Sequence, residues 1–355
     1  MPHSDVTTAN DIQENSANER PNPRVLAREL NRFTSPRLAR SLWELAITIV
    51  PFAALFAAML FAVDAGYYAA LALTPVAGML LLRLFIIQHD CSHGSYLAKK
   101  SSNKWLGRAI GVLTLTPYDC WQRSHALHHA NTGNLDARGF GDVDTLTVKE
   151  FSELNGMHKF LYRLYRHPVV LMGLGPAYLF LLRHRLPIGL MREGVIYWMS
   201  AMLTNAVTAI ILVGLGFMFG AWTTALVFLP VLLIAASVGV WLFYVQHQFE
   251  HAFWERKANW EFHDAALGGS SYLVLPAPLR WFTGNIGIHH VHHLASRIPF
   301  YRLPAVLKAH PELSDFNRLT AINAVRSMVL TLWDEERGKL VSFREAARTR
   351  AIAAG

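Results

Sequence analysis

The chain has 355 residues, 52% of them hydrophobic and only 16% charged, with a formal net charge of +8. Soluble domains average about 25% charged residues, so composition excludes an ordinary water-soluble protein and equally a disordered or fibrous one. Two cysteines, Cys91 and Cys120, give no disulfide framework, and positive charge that is not gathered into a stripe speaks against a nucleic-acid partner.

Residues 1–20 are polar and lack an apolar core, so no cleavable signal peptide is expected. Residues 22–40 place Val25, Leu26, Leu30 and Phe33 at helical spacing among arginines. That is the pattern of an interfacial helix resting on anionic lipid, within a cytoplasmic arm over residues 1–40. Lys and Arg are unevenly spread: six in 1–40, none in 41–82, fourteen in 83–192, none in 193–255 and thirteen beyond. Each window without them holds apolar sequence for two membrane helices of about 20 residues. The first divides at Asp64-Ala65-Gly66 into spans near 42–63 and 67–88, the second at Phe219-Gly220-Ala221 into spans near 194–218 and 221–245. The two dividing loops lack Lys and Arg, whereas every segment outside the hairpins carries them. The positive-inside rule therefore puts both termini on the cytoplasmic side of a cytoplasmic or inner membrane.

Details along the spans fit. Pro75 and Pro230 lie within them, as membrane helices tolerate, and Arg83 is placed to snorkel to the headgroups. Thr204 and Asn205 are polar within the third span, suited to interhelical hydrogen bonds or to lining a channel for an apolar substrate. Residues 169–182 are apolar but short for a span, and are expected in the interface or beneath the bundle. Length alone suggests roughly two domains, but with four spans one membrane domain over 41–315 suffices, followed by a cytoplasmic tail over 316–355.

Histidine is the unusual residue, at 17. His89 and His93 follow the second span; His125, His128 and His129 lie in the basic segment; His289, His292 and His293 follow the fourth span. Spacings of i, i+3 and i+4 put the members of each cluster on one helical face. All three clusters emerge on the side of the membrane that charge alone assigns to the cytoplasm. Imidazole suits iron, copper, zinc and nickel, and eight histidines exceed the needs of one ion, so two metals are expected. The fourth span ends in another pair, His247 and His251, either of which can complete the second metal's shell. His290 points away from its neighbours. The sequence lacks His-Glu-x-x-His and Glu-x-x-His, which speaks against a zincin protease and a carboxylate-rich di-iron bundle. Asp90, Asp119, Asp142, Asp144 and Glu250 lie near the clusters and are candidates to orient imidazoles through the second ring nitrogen. A metal carrier would place its ligands within the spans; here they lie outside.

The segments HDCSHGS (89–95), HALHHANTGNLD (125–136), FYVQHQFEH (243–251) and WFTGNIGIHHVHHL (281–294) resemble the histidine boxes of membrane fatty acid desaturases. The similarity is greatest to the acyl-lipid branch, the Δ12/ω6-type and related bacterial enzymes, and extends through DVDTLTVKEF (142–151) and GSSYLVLP (269–276), covering roughly residues 40–310. The resemblance implies an all-α integral membrane protein: four transmembrane helices under a cytoplasmic helical cap that holds two non-haem irons. It carries the ligand role to His89, His93, His125, His128, His129, His289, His292 and His293. Related enzymes have a further histidine near the end of the last span, often with Asn four residues before it; by spacing His251 matches that histidine and His247 the Asn.

The reaction implied is O2-dependent insertion of a cis double bond into a fatty acyl lipid. A hydroxylase or ketolase of alkane, lipid or carotenoid is the alternative outcome on the same centre. The His-Pro-Gly-Gly of a fused cytochrome b5 is absent, because His167-Pro168 and His310-Pro311 lack the glycines. With neither haem nor flavin expected in the chain, the two electrons come from a separate donor such as a ferredoxin.

Overall fold

The computed structural model describes residues 22–139 and 141–353; the expectation about a signal peptide falls on residues outside these. Four helices among the described residues are long and apolar enough to cross a membrane. We number helices as they are introduced. A short helix α1 (Pro23–Leu30) precedes the first span, α2 (Leu38–Asp64). The second span opens with a 3₁₀ turn over Tyr68–Leu73 and continues as α3 (Thr74–Ser92). Between the hairpins lie α4 (Lys100–Leu113) and α5 (Tyr118–Asn131). The second hairpin is α6 (Val195–Phe219) and α7 (Ala221–His247). The third histidine box forms α8 (His289–Leu294).

Long runs of Leu, Ile, Val, Phe and Ala bounded by glycine make these spans, since in hydrocarbon a helix satisfies every backbone polar group within itself. Gly220 alone joins α6 to α7 with φ +78°, a conformation open to glycine at little cost. Pro75 sits in the first turn of α3, where its missing N–H costs nothing, rather than in mid-span. The most extensive helix contact is α3 on α7. Gly78 allows it: a Cβ there would lie 2.8 Å from the Ile234 side chain. The outward residues of α2 and α6, such as Phe61 and Phe217, remain exposed, as lipid-facing side chains do.

Three expectations change. Arg83 does not snorkel. It is buried, paired with Glu44 of α2, donates from Nε to Thr48 Oγ1 at 3.1 Å and lies over the Trp281 ring at 4.2 Å. In the sequence its partner lies one helix away. Second, α1 turns Leu26 and Leu30 into the protein against the helix Phe262–Gly268, and Arg24 pairs with Glu261 at 2.8 Å. Part of the face expected on lipid is thus packed on the cap, while Val25 of the same face stays exposed. Third, residues beyond 315 do not trail away. Strand β1 (Leu146–Thr147) pairs in parallel with β4 (Leu332–Asp334), which pairs antiparallel with β5 (Lys339–Val341); β2 (Tyr272–Leu273) pairs in parallel with β3 (Arg318–Leu319). These short ladders stitch the end of the chain into an otherwise helical cap.

Residues 169–182 form a π-turn (Val170–Leu174) and a helix (Gly175–Leu181) packed along α7, with Leu171 and Pro176 buried. Asn205 of α6 accepts from Arg185 Nη1 at 2.7 Å and donates to the Arg185 carbonyl at 2.8 Å. Its polarity serves that junction.

Candidate metal centre

Four helices deliver the histidines. α3 ends at Ser92, so His89 lies in its last turn and His93 just past it. α5 presents His125 and His129 one turn apart, with His128 about 100° around the helix from His129. α7 ends at His247, and α8 supplies His289, His292 and His293. This spacing divides the boxes between two sets. His89, His93, His125, His129 and His292 form the first; His128, His247, His289 and His293 form the second. Within each set one ligand atom per residue lies within 4.8 Å of all the others. Either set can hold a metal ion.

The donor atoms fit that role. In the first set the Nε2 of His125 faces those of His93 at 3.0 Å and His129 at 3.1 Å, and His129 also faces His292 at 3.2 Å. In the second, His289 Nε2 faces His247 at 3.0 Å and His293 at 3.1 Å, while His128 faces His293 at 3.3 Å. A neutral imidazole has one donor and one acceptor nitrogen. Rings meeting several others through the same atom cannot all be satisfied by shared protons; a cation at the convergence satisfies them together. The His89 Nε2 is buried with no hydrogen-bond partner, as a nitrogen aimed at a metal would be. Burial first, then repulsion among neighbouring rings, holds His93, His125, His129, His289, His292 and His293 well below the ordinary imidazole value. They are neutral near pH 7, the form that ligates.

The second ring nitrogens are held too. Asp142 bonds His128 Nδ1, and Asp90 lies 3.3 Å from His89 Nδ1 while its other oxygen accepts from the Phe300 N–H at 2.7 Å. Such partners fix tautomer and ring orientation. Two of the other three candidate carboxylates do different work: Asp119 accepts from Arg108 at 3.0 Å and Glu250 pairs with Lys339 at 2.8 Å. Asp144 contributes its backbone carbonyl, which accepts from Arg166 at 2.9 Å.

His251 is not brought to the others. Backbone dihedrals of φ −113° and ψ 78° at Gln248 end the α7 helix directly after His247, so the i+4 residue no longer shares its face and stands exposed. His247 alone joins the second set. His290 turns away and makes a 3.0 Å hydrogen bond with the Leu313 carbonyl. Sequence reasoning missed Gly269, whose carbonyl lies 3.0 Å from His247 Nδ1, and Trp121, stacked on His125 at 4.4 Å. It also missed Thr132, 3.4 Å from His293 Nδ1. Thr132 lies at i+4 from His128, a spacing that was readable.

A family model described as fatty acid desaturase matches residues 65–322. A fatty acid desaturase of Bacillus subtilis is 41% identical over 320 residues, 90% of each chain. An sn-1 acyl-lipid omega-3 desaturase (ferredoxin) of Synechocystis is 30% identical over 254 residues, 68% of each chain. An endoplasmic-reticulum omega-3 fatty acid desaturase of Vigna radiata is 26% identical over 258 residues, 66% of this chain and 63% of that one. With its histidine clusters and four membrane-length helices, this chain is an oxidoreductase that belongs to the fatty acid desaturase family.

Proposed function

We propose that the chain is an acyl-lipid desaturase with two irons, one in each histidine set, using O2 and two electrons from a separate ferredoxin. The observation that carries this reading is the division of nine histidines into two enclosed groups at the end of the spans where the cap sits. The relatives from Synechocystis and Nostoc named as ferredoxin-dependent acyl-lipid desaturases support the donor and the lipid substrate. His89, His93, His125, His129 and His292 would hold one iron, and His128, His247, His289 and His293 the other. Bound iron supplies the oxidation of an unactivated methylene, which side-chain acids and bases cannot perform. The chain's own residues orient and enclose. Asp90 and Asp142 fix His89 and His128, Thr132 and the Gly269 carbonyl fix His293 and His247, and Trp121 covers His125. The Lys- and Arg-bearing segments outside the hairpins support a cytoplasmic centre with both termini inside.

The test is expression in a host that lacks polyunsaturated lipids, with mass spectrometry of the derivatised fatty esters and an iron count on the purified protein. New double bonds together with about two irons per chain are expected from the nitrogen count of the two sets. Iron-loaded protein that yields only hydroxylated or ketolated lipid overturns the desaturase reading.

A further inference from the structure

We propose that a narrow crevice in the cap is the entry by which small ligands, dioxygen and small anions, reach the second histidine set. The inference rests on the reading that this set holds a metal. Thr132, Asp142, Val143, Tyr244, His247 and Gln248 line the crevice, and its free space admits roughly one water-sized molecule. Three of the four histidines of the second set border it directly or through one contact: His247 is in the wall, Asp142 bonds His128, and Thr132 meets His293. No member of the first set lines it. The Asp142 side chain keeps 14% of its surface exposed, so the passage begins at the solvent side.

Size excludes an acyl chain, because the free space takes about one water-sized molecule. The wall is mixed: Phe243, Phe253 and Trp254 stand beside Thr132, Asp142 and Gln248, so it offers an apolar surface to dioxygen and hydrogen-bonding groups to small polar ligands. The donor count agrees, because four imidazoles leave the second metal more open to an added ligand than five leave the first.

The wall is also built to stay open. Arg166 stands behind it, 1% exposed and with no carboxylate partner among the described residues. Its Nη1 donates to the Asp144 carbonyl at 2.9 Å and Thr145 Oγ1 at 3.1 Å. Its Nη2 donates to Tyr244 Oη at 3.2 Å, Gln248 Oε1 at 3.1 Å and the Leu330 carbonyl at 3.0 Å. Sealing a guanidinium away without a counter-ion is costly. Here it fixes the loop after Asp142 against the end of α7, the two sides of the crevice.

Val143 is the residue to vary, since its apolar side chain lines the passage and neither ligates nor hydrogen-bonds a histidine, although its backbone follows Asp142 directly. Azide is the probe: it is small, water-borne and gives a ligand-to-metal absorption band on ferric protein. In iron-loaded protein, Val143→Trp should slow azide association about tenfold or more, the effect of a ~1.4 kcal/mol entry barrier, and Val143→Ala should accelerate it. Iron content read alongside shows that the centre is intact. Association indifferent to both substitutions overturns the proposal. If Val143→Trp loses iron, Val143→Ala decides alone, and no acceleration overturns it. Unchanged azide kinetics with a shifted double-bond position would instead assign the crevice to the acyl chain. A wild-type protein without iron overturns both this inference and the di-iron reading, whereas two irons with azide indifferent to the crevice overturns this inference only.

Discussion

Glu44 of the first span and Arg83 of the second form an ion pair with 3% and 2% of their side chains exposed, and Glu44 also binds Arg40 at 2.6 Å. A charge pair sealed between two spans holds them in register, and removing one member strands the other. Arg83→Met should lower stability by about 3–5 kcal/mol, and Arg83→Met with Glu44→Leu should recover most of it. Thermal unfolding in detergent reads both. A single variant as stable as wild type would show that the pair is not a structural tie.

Asp142 and Asp90 each hold one histidine, in different sets. Asp142→Leu should weaken metal binding at the second set by about 10- to 100-fold and leave the first filled. Iron per chain after dialysis against a chelator should then fall from two toward one. Loss of both irons together would show that the sets are not independent.

His247 and His251 separate two roles that the sequence left open. His247→Ala should cost at least as much affinity as a lost orienting carboxylate, about 10- to 100-fold, because it removes a donor outright. His251→Ala, on the exposed turn, should keep full iron and full desaturation. The products and metal content of the two variants, side by side, decide the matter.

The apoprotein should lose stability on mild acidification. In the fold, His93, His125, His129, His289, His292 and His293 are held well below the ordinary imidazole value, while the unfolded chain takes up protons near pH 6.5. Below that pH the unfolded state binds more protons, so the stability present above it is lost as pH falls. Unfolding temperatures of metal-free protein at pH 7.5 and 5.5 should differ, the lower belonging to pH 5.5. Equal values would mean that these rings are not sealed from water.

Much of this architecture was legible. Apolar windows free of Lys and Arg placed the four membrane-length helices within a few residues, and the box spacings found eight of the nine clustered histidines, leaving His247 and His251 as alternatives for the ninth. What the pattern could not give was which ring joins which set, because that depends on how four helices meet. His251 stays apart for a local reason: helical spacing would have to continue three residues past Gln248, where the chain leaves the helix. Arg83 misled for a distant one, since snorkelling is the default for a lone cation near a span end until Glu44 is brought beside it. Strands of two or three residues such as Lys339–Val341 have no periodicity to read.

The pairing of Leu146 with Leu332 and Thr147 with Trp333 has a consequence for biosynthesis. Both hairpins have left the ribosome long before β4 exists, so the bilayer receives a stem whose cap is still open. Closure, and with it a sealed environment for the clustered histidines, waits for β4 to be translated. A chain stopped before Leu332 should therefore insert normally yet stay accessible to protease in the segment after α5. Closure of the cap is thus timed by the translation of β4.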